Sequence, residues 1–231
     1  MLVLGIDSST NVGSVSLIAE DRLIGEHLLN LEETHSQRLM PQIINLIESC
    51  NYQVQDLDGI GVALGPGSFT GTRIGVATAK SLAQSLEVSI VGVSTLEAIA
   101  FSLRYISGYI CPMIDARGGR IFTSLYQSDK QLKMVRKETI LQIDDLITEL
   151  TEVKGPIYFV GQVAKQYQEK INDQIEQAEF VRTIFNLPRA GAISEIAFNR
   201  LQQGAEDELF ALTPNYLKRS QAEIQWDKKH G

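Results

Sequence analysis

The chain has 231 residues, 44% hydrophobic and 21% charged, with a formal net charge of −7 and a pI of about 5.1. That acidity argues against a broad basic surface for nucleic acid, though not against an acidic subunit whose partner grips the nucleic acid. No apolar run reaches the roughly 18 residues of a membrane span, Met1–Asp7 lacks the basic start of a secretory signal, and Cys50 and Cys111 have no metal-ligand spacing, so reduced, buried thiols in a cytoplasmic protein are expected.

Three strand-like runs open the chain: Leu2–Ile6, Gly13–Ala19 and Arg22–Leu28, joined by turns rich in Ser, Thr, Asn, Gly and Asp. Thr34 reads as the N-cap of a helix to about Ser49, with Leu39, Ile43, Leu46 and Ile47 at helical spacing. A buried strand at 59–64, a glycine-rich turn, a helix over 71–86, a strand at Ser89–Val93 and a helix from Ser94 follow.

The second half repeats the order. Strands are expected at Tyr109–Ile114, Arg120–Tyr126 and Leu132–Lys137, then a helix at Ile143–Thr151 and a strand at Ile157–Val160. A helix at about Ala164–Asn172, a strand at Glu179–Val181 and a helix at Gly191–Gln203 complete it. Ile6-Asp7 precedes Gly13 much as Ile114-Asp115 precedes Gly119. Two successive βββαβα units predict a duplicated α/β fold: lobes at 1–106 and 107–220, then a polar tail at 221–231. The tail has two open readings, a loose end or a segment docked on a neighbour through Trp226.

The turn Gly65-Pro66-Gly67-Ser68-Phe69-Thr70-Gly71 lies between strand and helix, where free N–H groups and the helix dipole attract anions. It matches neither common phosphate loop: no Lys follows Gly71, and the third Gly is one residue late for G-x-G-x-x-G. Gly71, Gly75, Ala79 and Ala83 recur every four residues and form one smooth stripe of the helix. Glycine within a helix costs about 1 kcal/mol relative to Ala, so close approach of something is expected. The stripe fits tight packing on the chain's own sheet and a helix–helix contact with another subunit equally well.

Asp7-Ser8-Ser9-Thr10 ends the first strand, where a carboxylate and hydroxyls could hold a magnesium ion and phosphate, or could close an Asx-turn. The equivalent hairpin, Asp115-Ala116-Arg117-Gly118-Gly119-Arg120, carries two arginines instead, which suggests structural ion pairs or capture of an anionic partner. His27, His35 and His230 lack the i, i+4 spacing of a helical zinc pair. There is no G-x-S-x-G elbow, and Glu32-Glu33 and Asp144-Asp145 are adjacent pairs that do not converge. No catalytic residue and no metal ligand is expected.

Leu4-Gly5-Ile6-Asp7-Ser8-Ser9, His35-Ser36-Gln37 with Leu39-Met40-Pro41, the 65–75 segment, Asp115-Ala116-Arg117 and Pro214-Asn215-Tyr216-Leu217, in this order from residue 1 to about 220, together resemble the bacterial TsaB (YeaZ) family. The resemblance implies the duplicated fold of actin, sugar kinases and Hsp70. It implies a non-catalytic role, without cofactor, in making N6-threonylcarbamoyladenosine in tRNA beside a catalytic subunit, TsaD. TsaD holds a metal through a helical His-x-x-x-His, whereas His35 is followed at that spacing by Leu39. The family further implies docking on TsaD through the segment 71–86, a TsaE-like ATPase that joins the pair, a homodimer through the same surface, and contact with tRNA only through the complex. Matched residue by residue, the interface candidates are Gly71, Arg73, Gly75, Val76, Ala79, Lys80 and Ala83, and Asp7, Ser8, Ser9 and Thr10 form a degenerate nucleotide site. The competing class is a small actin-like ATPase or sugar kinase with Asp7 and the 65–75 turn around phosphate.

Overall fold

A computed structural model describes residues 1–30, 35–217 and 226, with side chains of the 35–49 helix from Arg38 onward. Thr34, the side chain of His35, His230 and the 221–231 tail apart from Trp226 lie outside the described residues. The first half runs β1 (Leu2–Asp7), β2 (Val12–Ala19), β3 (Arg22–Asn30), α1 (His35–Ser49), β4 (Gly59–Ala63), α2 (Phe69–Leu86), β5 (Ser89–Val93) and α3 (Thr95–Phe101). The second runs β6 (Gly108–Arg117), β7 (Arg120–Asp129), β8 (Gln131–Gln142), α4 (Ile143–Leu150), β9 (Ile157–Val160), α5 (Gln168–Asn172), β10 (Ala178–Phe180) and α6 (Ala190–Gln202).

The duplication is visible in the pairing. One five-stranded sheet has the order β3-β2-β1-β4-β5 and the other β8-β7-β6-β9-β10, so each half places its first strand at the centre. In both, that strand is antiparallel to the second and parallel to the fourth. All of β1 and β4 is buried, as expected of strands covered on both faces. Leu4, Ile6, Ile60 and Val62 pack beneath α1 and α2 in one core cluster.

The opposite face of the first sheet is covered by α6, whose Ile193, Ile196 and Ala197 join Val3, Ala63 and Val91. Two glycines make this approach possible. A Cβ on Gly61 would lie 2.6 Å from Ala197 Cβ, and one on Gly5 would lie 2.5 Å from the Ala190 carbonyl oxygen. The start of α6 is anchored on β2 and β3: the Ala190 N–H donates to Ser14 Oγ at 3.0 Å and the Gly191 N–H to Glu26 Oε1 at 2.9 Å. The sequence places α6 in the second lobe, but its apolar face belongs to the first sheet. Between the halves, Leu96 and Ile99 of α3 and Leu103 just after it meet Ile110, Ile114, Phe122 and Val160 in a continuous apolar seam.

Candidate functional site

The β1–β2 hairpin is closed by its own side chains. Asp7, Ser8, Ser9 and Thr10 are all buried. The Ser9 N–H and hydroxyl both donate to Asp7 Oδ1, at 2.8 and 2.7 Å, which is an Asx-type closure. The Val12 N–H donates to Thr10 Oγ1 at 3.1 Å. Ser8 Oγ reaches across to donate to the Gly71 carbonyl at 2.8 Å.

The glycine-rich turn is shaped to this hairpin. Gly65 has φ +89°, a conformation that favours glycine. The Ser68 N–H donates to the Ser9 carbonyl at 2.5 Å. A Cβ would lie 2.0 Å from Ser9 O at Gly67, 2.1 Å from Ser8 O at Gly71 and 2.4 Å from Ser8 Oγ at Gly75. These glycines let one stretch of the chain lie directly on another, and the hairpin fills the room they leave.

Helix α2 begins at Ser68, whose hydroxyl accepts from the Gly71 N–H at 3.2 Å, and stops at Glu87 in the left-handed conformation (φ 56°). Its outer side carries exposed Phe69, Arg73, Ala77 and Ser81. The Arg73 guanidinium carbon sits 3.8 Å from the Phe69 ring centre and 5.4 Å from that of Tyr216. Its Nε donates to the Tyr216 hydroxyl at 2.7 Å, and the two rings are 5.1 Å apart. This is a cation held between aromatic faces, open to solvent. Phe210, 71% exposed, stands with Tyr216 on the segment that follows α6 and returns along α2.

The family model described as TsaD, tRNA N6-adenosine threonylcarbamoyltransferase, matches residues 29–226. The Bacillus subtilis protein named tRNA threonylcarbamoyladenosine biosynthesis protein TsaB is 37% identical over 228 residues, covering 98% of each chain. The chain belongs to the TsaB family. The solved structure of YeaZ from Pseudomonas aeruginosa superposes with a TM-score of 0.77 at 24% identity, covering 94% of this chain and 99% of that one. A hexokinase from Thermus thermophilus superposes at 0.53 with 11% identity, over 88% of this chain and all of that one, so the fold is that of the actin, sugar-kinase and Hsp70 group.

Seen on a TsaB-family chain, the interface candidates divide. Gly71, Gly75, Val76, Ala79 and Ala83 are buried within the chain itself, against Ser8, Ile6 and the first core. The small-residue stripe is therefore an internal contact, because it brings α2 down onto β1. Arg73 faces solvent. Lys80 is half-buried and its Nζ donates to the carbonyls of Phe210 and Leu212 at 3.2 and 3.0 Å, tying the returning segment to α2. Phe69, Phe210 and Tyr216 were missed as site residues, although Phe69 and Tyr216 lie in stretches that carry the family resemblance.

Other candidates lie apart. At the β6–β7 turn the Arg117 N–H donates to Asp115 Oδ1 at 2.7 Å, and among the described residues neither Arg117 nor Arg120 forms the expected ion pair. Cys111 is buried, and burial pushes its thiol up to about 11. A cleft of about 520 Å³ at the ends of β9 and β10 is lined by Phe159, Lys165, Phe180, Arg182, Ile184 and Asn186. None of the sequence-predicted site residues lines it. No helix among the described residues is long and apolar enough to cross a membrane.

Proposed function

We propose that this chain is a non-catalytic partner subunit in the synthesis of N6-threonylcarbamoyladenosine on tRNA. It docks on a TsaD-like catalytic subunit through the outer side of α2, and a TsaE-like ATPase joins the pair. Alone, it forms a homodimer through the same side. Contact with tRNA comes through the complex, in the cytoplasm. The observation that carries this reading is a closed hairpin beside an open platform. Asp7–Thr10 hydrogen-bond among themselves and to the glycine turn, while Phe69, Arg73 and Tyr216 are ordered against one another in solvent. Aromatic and arginine side chains held in place before binding are what protein interfaces favour, since little freedom is lost on docking. The name of the Bacillus subtilis relative supplies the process.

Titration of the chain with a TsaD-like protein, followed by sedimentation, tests the reading. A stable one-to-one complex is expected, together with background ATP hydrolysis by the chain alone. Absence of the complex, with steady ATP turnover abolished by Asp7→Ala, would overturn the scaffold in favour of an independent actin-like enzyme.

A further inference from the structure

After α6 the chain returns along the first lobe. It bridges Ile90 through Asp207, is held by Lys80 at Phe210 and Leu212, and brings Tyr216 onto Arg73. One residue before Tyr216, Asn215 is fixed twice. Its backbone N–H donates to the Leu64 carbonyl at 2.7 Å, just ahead of the glycine turn. Its side-chain Nδ2 donates to Glu138 Oε2 at 2.5 Å.

Glu138 belongs to β8, the outer strand of the second sheet. Its other carboxylate oxygen accepts from the Ser94 hydroxyl. That same Ser94 oxygen caps α3 by accepting from the Leu96 and Glu97 N–H groups at 3.1 and 3.3 Å. One partly buried carboxylate of the second lobe thus grips both the start of the helix between the lobes and the strand of chain that delivers Tyr216.

We propose that Glu138 and Asn215 are positioning residues for the α2 platform: the second lobe's carboxylate, acting through Asn215, sets Tyr216 against Arg73 and Phe69 in the orientation that meets the partner. This rests on the reading that the outer side of α2 docks a partner. A tyrosine at the end of a returning segment has many orientations available. Fixing the residue before it at both backbone and side chain removes most of them before binding. Partner affinity is thereby tied to the contact between the two lobes, through a residue that touches no partner.

The test is a titration of full-length variants against a TsaD-like protein, with thermal melts alongside. Arg73→Ala is the control for the underlying reading and should weaken the complex about tenfold, as an interface arginine does; no change there sinks the docking face itself. With that loss in hand, Asn215→Ala should weaken binding about three- to tenfold, the size of one lost hydrogen bond. The double variant Glu138→Gln/Asn215→Asp exchanges donor and acceptor and should recover most of the affinity. In a Tyr216→Phe background, Asn215→Ala should add little, because it acts through Tyr216. A merely structural contact predicts multiplicative losses instead. Wild-type affinity in Asn215→Ala beside a weakened Arg73→Ala, or full multiplication with Tyr216→Phe, overturns the inference. If Asn215→Ala does not fold, Glu138→Met, which keeps the length of the side chain but removes both acceptor oxygens, is judged by the same two criteria.

Discussion

The hydroxyl of Ser8 occupies the space that a side chain at Gly75 would need: a Cβ there would lie 2.4 Å from Ser8 Oγ. Gly75→Ala must therefore displace Ser8 from its hydrogen bond to the Gly71 carbonyl. Overpacking of this kind costs about 1–3 kcal/mol, and for a chain of this size each kcal/mol lowers Tm by about 2–4 °C. In Ser8→Ala/Gly75→Ala the nearest obstacle becomes the Ser8 Cβ position, 3.7 Å away, an ordinary contact. The double variant should be more stable than the sum of the two single losses. Calorimetry of all four proteins checks this; strict additivity would mean that the two residues do not compete for the same space.

Glu26 makes a second testable contact. Its carboxylate is nearly covered, accepts from the Gly191 N–H at the start of α6, and pairs with the half-exposed Arg189. Glu26→Ala leaves that N–H without its acceptor and should cost about 1–3 kcal/mol. Glu26→Gln can still accept from Gly191 and should lose less. Denaturant unfolding gives both values, and equal losses would assign the whole effect to the Arg189 pair.

The carboxyl of Glu138 is pushed above the usual carboxylate range, first by burial, with Glu97 adding to it and the Ser94 and Asn215 hydrogen bonds opposing it. A proton held more tightly by the folded than by the unfolded chain favours folding at low pH. That contribution is fully present below the unfolded-state value and is lost as pH rises through the folded one. Glu138→Gln removes this titration. The stability of the wild type relative to Glu138→Gln should therefore be greatest at the acid end and fall as pH increases. Paired urea melts across mildly acidic to neutral pH measure the difference, and a gap that widens with rising pH would contradict the stated environment.

Strand and helix periodicity, with the repeat of Ile-Asp then Gly, was enough to read the paired sheets and their order of elements. The destination of α6 was hidden, because Ile193, Ile196 and Ala197 show an apolar face without saying which sheet receives it. Gly5 and Gly61, which admit that helix, look in sequence like any weak strand positions. The Asx-type closure of Asp7–Thr10 is one of two readings the sequence offers, and it becomes visible only in the hydrogen bonds of Ser9 to Asp7 Oδ1 and of Val12 to Thr10 Oγ1. Glu138 and Asn215, 77 residues apart, carry no local signal at all, since a long-range polar contact has no period.

The small-residue stripe leaves two readings open in the sequence, only the family resemblance points it at a partner, and α2 offers a direct comparison. Ala79 is fully buried beneath the helix, whereas Ala77 is exposed on the side that carries Arg73. The same substitution can be made at both. Ala79→Leu forces three carbons into a packed core and should cost about 1–3 kcal/mol, with a lower Tm. Ala77→Leu changes little in an isolated subunit, because Leu is nearly as good a helix former as Ala and exposed substitutions stay within about 0.5 kcal/mol. At a close helix–helix contact, though, the added bulk separates the partners, and many contacts of about 0.1–0.2 kcal/mol each are lost together. Ala77→Leu should thus melt normally yet self-associate and bind a TsaD-like protein more weakly, while folded Ala79→Leu should melt early and associate as the wild type does. Melting and sedimentation of the two variants separate the cases. An Ala79→Leu protein that melts normally but fails to associate would return the interface to the inner stripe and remove it from the Arg73 face.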